Sequence, residues 1–187
     1  RKSRGCRWPT RVAGSAMATA LTPAMSPRQD KLGLAGWTLL VVITAMGGIL
    51  SPPGAWYAAL AKPPFTPPDW LFPVAWTLLY ISMIAAAWQV WRRTGLLGGL
   101  STLLPFIAQL GANGLWSVLF FQWHRPDLAL VDLVVLWALI GLTLLRFHRV
   151  HPPAAWLLTP YWLWVTYAGY LNIGVIVLNG PAPPVAG

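Results

Sequence analysis

Long apolar runs joined by short polar connections dominate the chain. The runs cover residues 32–50, 70–91, 94–123, 128–145 and 152–178. The single charged residue inside them is Asp132. A membrane-spanning helix needs about 20 apolar residues. Because lipid offers no partner to free backbone groups, helices are the expected spanning form at these lengths. The pattern therefore predicts five membrane-spanning helices.

Short connections make consecutive helices antiparallel neighbours. The predicted fold class is therefore an all-α integral membrane protein, a five-transmembrane-helix bundle with a Pro/Trp-rich first loop. We predict the membrane domain at residues 31–180, followed by a short tail at 181–187. The predicted spans are about 32–50, 70–92, 100–122, 127–147 and 153–178.

Residues 1–30 differ from the rest of the chain. They are basic, rich in Ala, Ser, Thr and Pro, and contain no acid before Asp30. Nothing in them resembles a stretch that packs a core. We expect a disordered tail or an upstream extension there, with an Arg-rich targeting peptide as the sharper alternative.

Composition supports the membrane class. The chain of 187 residues is 57% hydrophobic and 9% charged, whereas a soluble domain carries about 25% charged residues. The net charge of +9 does not indicate nucleic-acid binding, because basic residues concentrate in the tail and at the ends of apolar runs. Thirteen tryptophans fit membrane interfaces and aromatic sites. The single cysteine, Cys6, excludes an intrachain disulfide.

The distribution of Lys and Arg predicts the orientation. One face of the bundle holds Arg28, Lys31, Arg92, Arg93, Arg146 and Arg149. The other face holds Lys62 and Arg125. The positive-inside rule then places the N-terminus in the cytoplasm and the first loop outside.

The segment 56–80 is the most informative stretch. Five prolines stand there among three tryptophans and two tyrosines. Proline fixes φ and removes a backbone donor, so the segment cannot be one continuous helix. It is typical of a stiff aromatic loop that leads into a helix and closes the mouth of a pocket.

Three helical stripes mix aromatic rings with small or amide residues. Their members lie three or four positions apart and so share a face. They are Trp76 and Tyr80; Asn113 and Trp116; and Tyr161, Trp164, Ala168 and Asn172. Any one stripe is explained by helix packing. Three stripes beneath a rigid loop favour a cavity for a flat apolar ligand.

Asp132 is an acid within a span, which is costly and usually faces the bundle interior. It is either a polar anchor in a ligand cavity or a partner in an interhelical or interfacial hydrogen bond. Catalytic motifs are missing from the sequence: there is no H-E-x-x-H, no G-x-S-x-G and no phosphate loop. The histidines lie in connections or at the charged end of a span, where solvation explains them better than haem ligation.

The segment 56–80 resembles the TspO/MBR family of tryptophan-rich sensory proteins, peripheral benzodiazepine receptors and translocator proteins. The family pattern is roughly W-Y-x-x-L-x-K-P-x-x-x-P-P-x-W-x-F-x-x-x-W-x-x-L-Y. It is met by Trp56, Tyr57, Leu60, Lys62, Pro63, Pro67, Pro68, Trp70, Phe72, Trp76, Leu79 and Tyr80. The third and fifth spans match it through Gln109, Asn113, Trp116, Phe120, Pro160, Tyr161, Trp164, Ala168, Leu171 and Asn172.

The resemblance implies a membrane receptor or sensor that binds porphyrin-type tetrapyrroles under the first loop, with a regulatory or carrier role. It implies no required cofactor or metal, porphyrin or haem as the bound ligand, a lipid bilayer around the chain, and a homodimer. The implied ligand-binding residues are Tyr57, Trp76, Tyr80, Asn113, Trp116, Asp132, Trp164, Ala168 and Asn172. Lys62 or Arg125 could meet a propionate.

Two alternatives stay open. One is a transporter of tetrapyrroles or small amphiphiles, although five helices lack the inverted repeat usual in secondary transporters. The other is a porphyrin-degrading enzyme, with Trp76 and Trp164 as the redox-active side chains. The expected location is a bacterial cell membrane, inner or outer, or an organelle membrane.

Overall fold

The computed structural model describes residues 26–183, and these form a bundle of helices without a strand. Five helices are long and apolar enough to cross a membrane, and a short helix lies in the first loop. The bounds are α1 (Pro27–Leu50), α2 (Ala55–Ala59), α3 (Leu71–Gly95), α4 (Gly98–Gln122), α5 (Pro126–Val150) and α6 (Pro152–Asn179). The predicted all-α, five-helix membrane fold is confirmed.

The first helix begins earlier than its apolar run. Ser26 caps α1 by accepting a hydrogen bond from the backbone of Gln29, whose side chain in turn accepts from the backbone of Ser26. Such a capping box satisfies otherwise free backbone donors at a helix start. The last residues of the predicted tail are therefore helical. Residues 1–25 lie outside the described residues, and so does the rest of the tail prediction.

The α1 start is also tied to α3. Asp30 accepts a hydrogen bond from the indole of Trp88 at 3.1 Å and forms an ion pair with Arg92 at 3.1 Å. The guanidinium of Arg92 lies 4.8 Å from the centre of the Trp88 ring. These contacts explain why the polar first turn of α1 is ordered although it contributes no apolar surface.

Gly95 separates α3 from α4. The helical segment Leu71–Ser117 is interrupted there by φ +66° and ψ −179°. A residue with a Cβ is disfavoured at such a positive φ, so glycine allows the reversal between two helices with little intervening loop. The predicted connection between the second and third spans is thus a single backbone break.

The larger of two clusters of buried apolar residues lies in one half of the bundle. Each membrane helix contributes to it from the part nearest the α3–α4 connection, where Met83, Phe106, Phe147 and Leu158 are almost completely buried. In the other half, α1 packs against α4 through glycine. A Cβ on Gly47 would lie 2.9 Å from the carbonyl oxygen of Gly114. Near the first loop, a cavity lies between the five membrane helices.

Candidate functional site

A cavity of about 580 Å³ lies in the half of the bundle nearest the first loop (residues 51–70). All five membrane helices and the first loop contribute to its walls. Its size falls within the roughly 300–1,000 Å³ typical of small-molecule sites. The end of the cavity beneath the first loop is called the mouth below.

The structure brings most of the predicted ligand-binding residues into this cavity. Those that line it are Tyr57, Trp76, Tyr80, Asn113, Trp116, Trp164, Ala168 and Asn172. They come from the first loop, α3, α4 and α6, so residues more than 100 positions apart face one space. The three helical stripes therefore line the cavity as well as packing the helices against each other.

Aromatic rings form three of the walls. On α3, Trp76 lies 5.4 Å from Tyr80, measured between ring centres. On α4, Trp116 stacks on Phe120 at 5.1 Å. On α6, Trp164 meets Phe72 of α3 edge-on at 6.0 Å. These separations are those of favourable aromatic pairs, so the rings hold one another in place around the cavity.

The amide of Asn113 joins two tyrosines. It accepts a hydrogen bond from the Tyr80 hydroxyl at 3.2 Å and donates one to the Tyr161 hydroxyl at 3.1 Å. Tyr161 in turn donates to Gln109 at 2.7 Å. Buried polar groups cost free energy unless they are paired. Asn113 therefore fixes the rings of α3 and α6 relative to α4.

Asn172 plays the same part for Trp116. Its side-chain oxygen accepts a hydrogen bond from the Trp116 indole at 3.3 Å, and its nitrogen donates to the Pro126 carbonyl at 2.7 Å. Asn172 is 1% exposed. Asn113 and Asn172 thus hold the aromatic walls in place. Most of their hydrogen bonds are made to other protein groups.

The family resemblance implied that Asp132 lines the cavity. In the structure, Asp132 does not belong to the lining. Its neighbour Leu133 lines the cavity instead. Because consecutive residues on a helix point about 100° apart, the face of α5 that meets the cavity does not carry the acid. One carboxylate oxygen of Asp132 is buried without a hydrogen-bond partner among the described residues.

Three α6 side chains hold the first loop over the cavity. Tyr167 donates to the carbonyl of Phe65 at 2.6 Å, and Tyr170 donates to the carbonyl of Pro64 at 2.8 Å. Asn179 both accepts from the backbone N–H of Ala61 and donates to its carbonyl, each at 2.9 Å. The loop is thereby fixed along the end of α6.

Gly174 permits this close approach of loop and helix. A Cβ at that position would lie 2.5 Å from Cβ of Pro63, which is too short for two carbon atoms. Sequence reasoning did not identify Tyr167, Tyr170, Gly174 or Asn179 as site residues. Their spacing on one side of the last span is the signal that could have found the first three.

Replacing Asn179 with alanine should loosen the first loop at Ala61. The variant loses both hydrogen bonds, each worth about 0.5–1.5 kcal/mol. Amide exchange at Ala61 should therefore accelerate by about 5- to 150-fold, at 1.4 kcal/mol per decade. Hydrogen exchange read by mass spectrometry measures this. Thr38→Val, which removes an exposed hydrogen bond within α1, should leave Ala61 exchange unchanged; equal acceleration in both variants would contradict the assignment.

Two charged residues, Lys62 and Asp69, belong to the cavity lining, and both come from the first loop. The ammonium of Lys62 lies 4.3 Å from the centre of the Tyr57 ring. Burial raises the pKa of Tyr57, and the nearby Asp69 carboxylate raises it further, so the phenol stays neutral near pH 7.

Arg125, the other predicted partner for a propionate, is engaged elsewhere. It donates two hydrogen bonds to Asp127, at 2.8 and 2.6 Å, and does not line the cavity. The hydrogen bond to Asp127 raises the pKa of Arg125. Histidine is also absent from the part of the lining that the structure describes. His124 stacks on Trp56 at 4.4 Å, and His151 pairs with Gln89 at the opposite end of the bundle.

Fold and cavity together define a multi-pass α-helical membrane protein with an aromatic internal chamber under a rigid loop. The sequence model of the TspO/MBR family matches residues 36–178. The chain is 42% identical over 147 residues to the tryptophan-rich protein TspO of Chlorobaculum tepidum, covering 75% of this chain and 91% of the relative. The chain therefore belongs to the TspO/MBR family.

Relatives extend from bacteria to mammals. The tryptophan-rich sensory protein of Cereibacter sphaeroides is 37% identical over 153 residues, covering 79% of this chain and 95% of the relative. The translocator protein of Bos taurus is 39% identical over 122 residues, covering 63% and 70%. Membership of this family supports a receptor or sensor role in a membrane.

Proposed function

We propose that this protein is a membrane receptor that binds a porphyrin-type tetrapyrrole in the cavity beneath the first loop. One observation carries the proposal: aromatic rings from α3, α4 and α6 surround a single space of about 580 Å³. A porphyrin is flat and apolar at its centre. Indole and phenol rings offer stacked or edge-on contacts to such a plane from several sides.

The polar groups of the cavity favour an apolar ligand body. Asn113 and Asn172 are hydrogen-bonded within the protein, so they do not need a hydrogen-bond partner on the ligand. An apolar plane can then enter without leaving these buried amides unpaired. The first loop, hydrogen-bonded to α6, would transmit ligand binding to the outer surface of the bundle.

A carrier role is the second candidate, and exposed residues of the lining favour it. Gly48 and Ile49 on α1, and Pro73 and Thr77 on α3, line the cavity and are exposed. We infer from this a lateral opening of the cavity between these two helices. An amphiphile dissolved in the bilayer could exchange with the cavity by this route.

The degradation hypothesis rests on Trp76 and Trp164, which both line the cavity. The names of the relatives describe sensory and translocator proteins. A receptor should release the pigment unchanged, whereas an enzyme should consume it. Homodimer formation and the identity of the host membrane stay predictions.

Titration of the purified protein in nanodiscs with protoporphyrin IX tests the proposal. We expect saturable quenching of tryptophan fluorescence with one porphyrin bound per chain. Illumination of the complex should then leave the porphyrin absorbance unchanged if the protein is a receptor. Light-dependent loss of pigment beyond that in protein-free nanodiscs would favour the enzyme, and quenching that never saturates would refute the site.

A further inference from the structure

The residues that follow α6 form a short segment with no regular secondary structure, Gly180–Pro183, which is called the strap below. Its first residue, Gly180, has φ +91° and ψ 169°. This combination of angles is essentially restricted to glycine. Gly180 therefore ends α6 and directs the strap away from the helix.

The strap supplies a hydrogen-bond acceptor to the start of α5. The carbonyl of Pro181 accepts from the backbone N–H of Asp127 at 3.4 Å. The first backbone N–H groups of a helix have no partner within that helix, and the side chain of Arg125, the residue before α5, does not cap it. The strap therefore satisfies one of these donors and joins the end of α6 to α5.

The strap also contacts α2, the short helix of the first loop. The carbonyl of Pro183 accepts a hydrogen bond from the indole N–H of Trp56 at 3.4 Å, and Pro183 is buried. The Trp56 ring also stacks on His124 at 4.4 Å between ring centres. Tyr57, the next residue of α2, lines the cavity. The strap therefore helps to position a helix that contributes to the cavity wall.

Both contacts of the strap are weaker than the other contacts that hold the first loop. Their donor–acceptor distances of 3.4 Å exceed the roughly 2.7–3.2 Å of ordinary N–H···O bonds. The bonds between Asn179 and Ala61, one residue before the strap, are 2.9 Å long. Pro181 and Ala182 are exposed. The strap can therefore detach while Asn179 still holds the loop at Ala61.

We infer that the strap is a latch on α2, and that its release opens the mouth of the cavity. The α2 helix has five residues, and a helix of this length is not stable without tertiary contacts. Because the strap does not line the cavity, the latch sets how fast a ligand enters and leaves and has little effect on how tightly it binds. The release itself occurs without a ligand, and only its effect on porphyrin exchange rests on the proposed function.

Replacing Gly180 with alanine tests the latch in the ligand-free protein. An added Cβ would meet no atom within 4 Å, so the substitution acts only by disfavouring the backbone conformation that directs the strap. Hydrogen exchange in nanodiscs, read by mass spectrometry for the peptide that contains α2, should accelerate about 5- to 10-fold, as expected for the loss of a weak hydrogen bond.

Trp56→Phe removes the same contact from the other partner. It eliminates the indole donor to Pro183 and keeps an aromatic ring, so it should accelerate exchange in α2 by a similar factor. In the double variant with Gly180→Ala, the two factors should not multiply, because both substitutions remove one shared contact. Multiplied factors would show that each substitution destabilises α2 independently, which would overturn the latch.

Gly36→Ala is the matched control. Gly36 is an exposed residue of α1, and a Cβ there would also meet no atom within 4 Å, so the same substitution is made far from the strap in sequence and without backbone strain. It should keep the parent exchange rate in α2. Unchanged exchange in Gly180→Ala would likewise overturn the latch.

Stopped-flow mixing with protoporphyrin IX tests the effect on the cavity. Gly180→Ala should raise the association and dissociation rate constants by the same factor, about 5-fold, and leave Kd at the parent value. Parent-like rate constants despite faster exchange in α2 would overturn the role of the latch at the mouth. If the parent protein binds no porphyrin, the proposed function fails, and the exchange measurement still decides whether the strap holds α2.

Discussion

Replacing Ala168 with phenylalanine should weaken porphyrin binding by about 100-fold while the protein still folds. Ala168 lines the cavity on α6, one helical turn beyond Trp164. A benzyl group at this Cβ would occupy the space beside that indole, and the ligand plane could not enter without displacing it. Overpacking costs about 1–3 kcal/mol, so we expect affinity to fall by about 100-fold, at the upper end of this range.

Two further variants distinguish a blocked cavity from a damaged fold. Ala138→Phe places the same ring at an exposed position of α5 that does not line the cavity, and should bind like the parent. Ala168→Ser keeps the side chain small and should also bind. Isothermal titration with protoporphyrin IX measures all three. Parent-like affinity of Ala168→Phe would show that the ligand occupies another place.

The sequence predicted the fold and the position of the cavity for one physical reason. In a membrane, apolar length and helical spacing carry most of the structural information, because lipid removes the alternatives to a helix. Trp76 and Tyr80, four positions apart, had to share a face, and the structure places both at the cavity. The same holds for Trp164 and Ala168 on α6.

Spacing could not predict which polar side chains face the cavity. Asp132 was chosen because a charge within a span is unusual, but the neighbouring Leu133 lies on the cavity face of α5. Asn113 and Asn172 line the cavity, yet their hydrogen bonds go to side chains and a carbonyl of other helices. Such partners depend on helix rotation, which the pattern on one helix does not specify.

The contacts between the first loop and α6 could not be predicted from the sequence either. They join Ala61 with Asn179, 118 positions apart, and Phe65 with Tyr167, 102 positions apart. Most of them involve backbone carbonyls, which every residue possesses and which leave no mark in the sequence. Proline correctly predicted that this segment is not one continuous helix, but the partners that hold the loop come from the way the helices assemble.

Replacing Trp164 with alanine should weaken porphyrin binding by about 5- to 150-fold. The indole lies on the cavity wall. Phe72 meets it edge-on at 6.0 Å, and the tilted ring of Tyr167 lies 5.9 Å away. The contact of this indole with a flat ligand is worth roughly 1–3 kcal/mol, by analogy with buried aromatic side chains, which converts to that range at 1.4 kcal/mol per decade. Porphyrin absorbance is the appropriate measurement, since the substitution removes one of the thirteen tryptophans that contribute to the fluorescence signal.

Trp91→Ala is the matched control, because it removes an indole of the same size from the other half of the bundle. The Trp91 ring lies on Gly33 of α1, where an added Cβ would overlap it, so it joins α3 to α1 away from the cavity. The control should therefore lower thermal stability and leave porphyrin affinity near the parent value. Trp164→Ala should lower porphyrin affinity and leave thermal stability near the parent value, because the Trp164 ring borders the cavity as well as protein. If both variants lose affinity equally, tryptophan contributes to binding only through the stability of the bundle, and the aromatic wall on α6 is not a ligand surface.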